Sequence, residues 1–158
     1  MSKSREQVVS EILFEIGQLD QLLVIYADLL QRVQERDPDT VEIAAVATVL
    51  HSFYNGVENI FFTVAKGIDE SVPSGGQSHR DLILQVSHKT NQREQVISKQ
   101  TAQRLSEYLG FRHFYRHSYS FLIDWQELKK LVVPLEEVWR NVKSELLMFI
   151  ETLAPTQM

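Results

Sequence analysis

Apolar residues recur at three- and four-residue steps along almost the whole 158-residue chain, and the runs are broken by residues that start or stop helices. Ile12, Leu13, Ile16, Leu19, Leu22, Leu23, Tyr26, Leu29, Leu30 and Val33 keep this spacing until Asp37-Pro38. Such steps place side chains on one face of an α-helix, and no segment shows the two-residue alternation of a half-buried strand. Asp39 with Glu42 reads as a capping pair that opens a second helix carrying Val46, Leu50, Phe53, Val57, Ile60, Phe61 and Val64 and fading near Gly67. Residues 70–78 have loop composition, and Ser78 is placed to cap a short helix over about 79–88. A polar stretch around Asn91 leads to a segment from about 98 to 122. Asp124 with Glu127 opens the final region, where Pro134 marks a kink or a fresh start ahead of the stripe Leu135, Val138, Val142, Leu146, Phe149, Ile150 and Leu153. Long helices joined by short loops predict an all-α fold, an antiparallel bundle of four to five helices. With no repeat and no linker-like stretch, residues 1–158 read as a single domain large enough to bury a core.

Composition narrows the chemistry. Cysteine is absent, so disulfides, thiolate nucleophiles and cysteine-based zinc sites are excluded, and a cytoplasmic location is expected. No apolar run approaches the length of a bilayer span, so no membrane association is expected. Met-Ser-Lys-Ser-Arg-Glu is followed by no apolar run of the kind a secretory leader needs. The net charge of −5 argues against a nucleic-acid partner until its distribution is considered. Residues 79–117 hold seven basic residues (Arg80, Lys89, Arg93, Lys99, Arg104, Arg112, Arg116) against three acidic ones (Asp81, Glu94, Glu107). Four of the five histidines, His79, His88, His113 and His117, fall in the same stretch. A basic region on an acidic body can bind RNA, with affinity that falls as salt rises; the bland alternative is an ordinary solvated surface.

Within that stretch, residues 112–119 read Arg-His-Phe-Tyr-Arg-His-Ser-Tyr. Arginine with histidine is enough to cleave RNA without a metal. Histidine can move the proton of a ribose 2′-hydroxyl near neutral pH. Arginine can brace the charge that gathers on the phosphate with permanently charged, planar donors. On an ideal wheel with Arg112 at 0°, Tyr119, Arg116, Ser120, His113 and His117 fall between about −20° and 140°. Phe111, Phe114, Tyr115, Ser118, Phe121 and Leu122 fall between about 180° and 300°. The first set predicts a displayed polar face with Arg112 and His117 flanking a groove, and the second a core-facing aromatic surface. Asn55 and Glu58 are candidates to line the cleft, with Glu58 orienting a motif histidine or arginine, or else they are solvated helix surface. His51 reads as a partly buried helix residue, and Trp125 and Trp139 as core anchors.

His113 and His117 also have the i, i+4 spacing of two metal ligands, but the motif offers no third ligand, so no metal and no other cofactor is expected. Gly75-Gly76 lacks the Lys and Ser/Thr of a phosphate loop. A non-catalytic helical interaction module is the competing reading.

The chain resembles HEPN-domain proteins of the HepT-like toxin group. Arg112, His113 and His117 match the HEPN motif R-x4–6-H with a polar residue after the arginine, and Tyr119 completes the R-x4-H-x-Y form of the HepT-like group. Residues 51–66 resemble its YNxxE helix around Tyr54, Asn55 and Glu58. His79-Arg80-Asp81-Leu82 resembles its WHRDLL segment, with Ser78 where Trp is common. Phe111 through Trp125 resembles FRHxxRxxYxxxLDW, with Ile123 where Leu is common. The resemblance covers roughly residues 10–150 and implies a HEPN-like bundle with metal-independent endoribonuclease activity. By the same resemblance, Arg112 and His117 are catalytic and His113, Arg116, Asn55 and Glu58 support them. It further implies a homodimer whose motif helices build one cleft, and a toxin–antitoxin pairing. The antitoxin would be a minimal (MNT-type) nucleotidyltransferase that neutralises the toxin by AMPylation of Tyr119.

Overall fold

The computed structural model describes residues 3–153; Met1, Ser2 and residues 154–158, the two ends of the expected domain, lie outside the described residues. These residues form seven α-helices, and none of them is in a strand: α1 (Arg5–Ile25), α2 (Ala27–Glu35), α3 (Thr40–Val64), α4 (Ser78–Val86), α5 (Lys99–His117), α6 (Trp125–Val132) and α7 (Leu135–Leu153). The four long ones, α1, α3, α5 and α7, touch in a closed ring, each against the next. This is the helical bundle expected, with α2, α4 and α6 as short additions. The pairing is antiparallel where contacts fix it. Leu19 of α1 lies against Gly56 of α3, and Val8 lies against Gly67 just beyond the end of α3. Phe53 of α3 meets Tyr108 of α5, while His51 meets Tyr115.

Caps explain most of the boundaries. Ser4 and Gln7 close a capping box on α1, and Asp39 and Glu42 do the same on α3. The Ser98 side chain accepts from the Thr101 amide at the start of α5, and Asp124 accepts from Gln126 at the start of α6. Leu135 begins a new helix directly after Pro134. Ser78 is not a cap: it is the first residue of α4, Gln77 holds the cap position, and no side chain bonds there. Tyr26 interrupts the first apolar run, so one expected helix is two. Past Val64, α3 widens into a π-turn over Ala65–Asp69, and Glu70 then turns out with φ 53°.

α3 is the hub, in contact with α1, α2, α4, α5 and α6. Val46, Leu50, Phe53, Tyr54, Val57, Ile60, Phe61 and Val64 are buried in one core with Ile12, Leu105, Trp139 and Leu146. Gly56 permits the close fit of α1: a Cβ there would lie 2.6 Å from Leu19 Cδ2. Trp139, as expected, is buried, and its indole N–H donates to Asp20 at 2.8 Å. Trp125 is also buried.

Two ion pairs secure the ends. Arg93 sits in the polar stretch after α4 with its side chain fully buried. Its guanidinium donates to Asp69 Oδ1 at 2.7 Å and Oδ2 at 2.8 Å, and to the carbonyls of His88, Glu94 and Gln85. All five guanidinium N–H groups therefore have an acceptor. Arg93→Ala strands the buried Asp69 carboxylate and should cost about 3–5 kcal/mol in urea unfolding.

Glu42, at the cap of α3, accepts from Arg36, Arg32 and the Asp39 amide. The Arg36 hydrogen bond first, and then the Asp39 amide, hold its pKa at about 2 against an ordinary 4.5. A depressed carboxyl stabilises the fold above its unfolded pKa and loses that contribution as pH falls through the folded value. The acid arm of the stability curve should therefore flatten between about pH 4.5 and pH 2 in Glu42→Gln, measured by urea midpoints across that range.

Candidate ribonuclease site on helix α5

The first half of α5 decides which way the motif points. Thr101, Ala102, Leu105 and Tyr108 are its buried residues. On the wheel they cluster within about 80° of Arg112, so Arg112 continues the inward face rather than an outward one. It is half-buried, and its Nε donates to Asn55 Oδ1 of α3 at 3.1 Å. That bond fixes the Asn55 amide, whose Nδ2 then donates to His51 Nε2 at 3.0 Å. His51 must accept through Nε2, so it is neutral and carries its proton on Nδ1, which is buried without a partner among the described residues. Burial, and then the charges of Arg112 and Arg116, lower the His51 pKa from 6.5. The His51 ring lies 4.7 Å from that of Tyr115, and the Tyr115 hydroxyl is 3.4 Å from Thr48 Oγ1. His51 is the site residue that sequence reasoning passed over. Its signal was the polar stripe His51, Asn55, Glu58 along an otherwise apolar helix.

The aromatic half of the wheel reading needs correction. Tyr115 and Phe111 do pack on the core, but Phe114, Phe121 and Leu122 are exposed. The face was assigned from residues 111–122 alone, whereas Leu105 and Tyr108 set the helix orientation. The helix also ends at His117: Ser118 is extended at φ −128°, ψ 155°, and Ser120–Leu122 form a 3-10 turn. Tyr119 therefore does not share the azimuth of Arg112; it stands past the helix end, 72% exposed. The side chain of Ser120, assigned to the same polar face, lies outside the described residues.

His113, Arg116 and His117 are exposed on the last turns of α5, with the two imidazoles 4.8 Å apart. No third His, Cys, Asp or Glu joins them among the described residues. Glu58 does not reach the motif as an orienting group. Buried on α3, it holds His79 of α4, both carboxylate oxygens lying 2.9 Å from Nδ1. The buried Tyr54 hydroxyl has no hydrogen-bond partner among the described residues. Burial first, and then the Glu58 carboxylate, push its pKa far above the usual phenol value.

Charge separates the two sides of α5. Arg93, Lys89 and Arg104 of the basic stretch are paired with Asp69, Glu94 and Glu137. Among the described residues Arg112 and Arg116 have no carboxylate partner, so their charge remains available. Behind the helix, Phe111, Phe114, Leu122, Ile123, Leu128 and Leu131 line a groove of about 750 Å³, rimmed by Glu107, Asp124, Glu127 and Lys130. That rim would repel RNA.

The sequence profile of the HepT-like protein family matches residues 45–153, from the second turn of α3 to the end of α7, and includes every candidate site residue. The chain belongs to the HepT-like family. Comparisons with curated proteins and with solved structures return no match. No helix among the described residues is long and apolar enough to cross a membrane.

The network makes a measurable demand. In imidazole 1H–15N spectra His51 should appear as the Nδ1–H tautomer with a midpoint below 6.5. Arg112→Ala removes a neighbouring positive charge, so the midpoint should rise.

Proposed function

We propose that this HepT-like chain is a metal-independent endoribonuclease, the toxin of a toxin–antitoxin pair. The observation that carries the reading is Arg112, half-buried and held by a neutral amide, with the unpaired Arg116 and the exposed imidazoles of His113 and His117 on the same helix end. A carboxylate partner would have cancelled the arginine's charge; Asn55 fixes its direction and leaves the charge for a phosphate. In the reaction, a ribose 2′-oxygen attacks the adjacent phosphorus as His117 takes its proton, and the 5′-oxygen leaves with a proton from a second group. Arg112 braces the oxyanions of the pentavalent state, Arg116 adds charge around them, and His113 offers a ring N–H donor. One chain carries one His117, so a homodimer with two facing motif helices supplies the acid from the partner subunit's His117. The neutralising partner is a minimal nucleotidyltransferase. The Tyr119 oxygen attacks the α-phosphorus of ATP, pyrophosphate leaves, and the adenylate adds negative charge and bulk two residues from His117. Asn55 acts as the positioning residue of Arg112, while Glu58 is engaged by His79 of α4.

The purified protein should cleave RNA in EDTA and leave a 2′,3′-cyclic phosphate, and a 2′-deoxy substitution at the cleaved position should stop the reaction. His117→Ala should lower turnover by about 10²–10⁴-fold with RNA binding largely kept. Arg112→Ala should cost about 10²–10³-fold and weaken binding as well. Asn55→Ala should cost less than Arg112→Ala, since it loosens the arginine without removing it. Wild-type cleavage by His117→Ala would reject the site, and activity restored only by added zinc or magnesium would reject the metal-independent chemistry. Light scattering should give a mass near twice the 18.3 kDa of the chain. Tyr119→Phe removes the acceptor oxygen and keeps the ring. After co-expression with the transferase, intact-mass spectrometry should show the wild type carrying adenylate and this variant without it.

A further inference from the structure

Two aromatic rings stand in water just past the end of α5: Tyr119, used above only as an adenylate acceptor, and Phe121, with no role in the chemistry above. Tyr119 and Phe121 are 72% and 70% exposed. Their centroids are 5.5 Å apart and their planes only 15° from parallel. The backbone sets this arrangement. Ser118 leaves α5 extended, the Leu122 amide then donates to the Tyr119 carbonyl at 3.0 Å, and the 3-10 turn carries the two rings out together.

We propose that Tyr119 and Phe121 are a stacking platform that holds a nucleobase next to the scissile phosphate. The proposal rests on the ribonuclease reading and adds a substrate-binding subsite to it. A flat ring is the shape that extends an exposed, near-parallel stack, and stacking accepts any base because every base has a π-face. Charge selects nucleic acid over protein as the occupant. From Tyr108 to Ile123 the chain holds no acidic residue, while Arg112, His113, Arg116 and His117 lie within it. The apolar groove on the other side of α5 has the opposite character, with Glu107, Asp124 and Glu127 on its rim. Phosphodiester oxygens belong on the first surface and are repelled by the second. Tyr119 follows His117 by two residues, so a base held on the platform would lie toward the end of α5 that carries the proposed proton-transfer group. Contacts to the ring face read stacking strength, which favours purines over pyrimidines at that one position and leaves the others free.

The test uses a non-cleavable 2′-O-methyl oligoribonucleotide carrying 2-aminopurine at each position in turn, since that base loses fluorescence when it stacks. With the wild-type protein, quenching should appear at one or two adjacent positions. Phe121→Ala should abolish it there and weaken binding by about 5- to 100-fold. Phe121→Tyr should restore both. Phe121 lies on the surface, so thermal melting should be unchanged. Arg112→Ala should weaken binding but keep the position-specific quenching at saturating protein. Unchanged quenching in Phe121→Ala, alongside normal cleavage, would overturn the platform and leave the ribonuclease reading standing. An altered oligomeric mass in Phe121→Ala with RNA binding intact would also overturn it, by making the pair a contact between copies. Failure of the wild-type protein to bind or cleave any RNA would overturn both.

Discussion

A single arginine entering the edge of a tightly packed helix imposes the central constraint on this molecule. α3 is buried against most of its neighbours, and Arg112 of α5 points at it from the inward face of its own helix. A guanidinium there must have hydrogen-bond acceptors, yet a carboxylate would neutralise it. The protein answers with Asn55, which gives a dipole and no charge, and then satisfies Asn55 with a neutral His51. Arg93 and Arg36 make the contrast. Arg93 is saturated by Asp69 and three carbonyls and holds a loop, and Arg36 is tied to Glu42 and holds a cap. The type of acceptor thus distinguishes arginines spent on architecture from Arg112, whose charge is cancelled by no carboxylate among the described residues.

His51 is held in its state by that arrangement. Protonation would place a third positive charge beside Arg112 and Arg116 and would turn Nε2 from an acceptor into a donor facing an amide N–H. Electrostatics and hydrogen bonding therefore both oppose it, which makes the neutral ring part of the rigid support of Arg112 rather than a second proton carrier. In the proposed reaction the proton transfer falls instead to His117, which with His113 is exposed on the motif helix.

Much of this was legible in the sequence because it is local. The Asp39–Glu42 box, the Asp124 cap and the restart after Pro134 depend on residues within one turn of each other, and all three stand in the structure. Ser78 shows the limit: a competent capping residue is worth little evidence when the helix starts at that residue and the chain before it turns otherwise. Which way α5 faces was not local. Leu105 and Tyr108 anchor it against α3, and they lie outside the twelve residues from which the motif's faces were read. The same extrapolation carried the helix through Ser118, where the chain is in fact extended. Glu58 was legible as a polar residue of α3, lining a cleft or else solvated, but its partner His79 comes from a different helix, and only the fold could pair them.

The break at Ser118 also explains how one short motif can serve three tasks. Had α5 continued, Tyr119 would lie back on the helix surface beside Arg112, and its hydroxyl would compete with substrate for the same donors. Ending the helix at His117 separates them. The arginine stays inside, braced by α3; the histidines occupy the final exposed turns; and Tyr119 projects beyond the end, open to another enzyme. In the proposed modification, an adenylate on that oxygen would be carried by the ring that stacks on Phe121. The proposed modification would then bring negative charge and a base to the end of α5 without touching the core network that holds Arg112 in place.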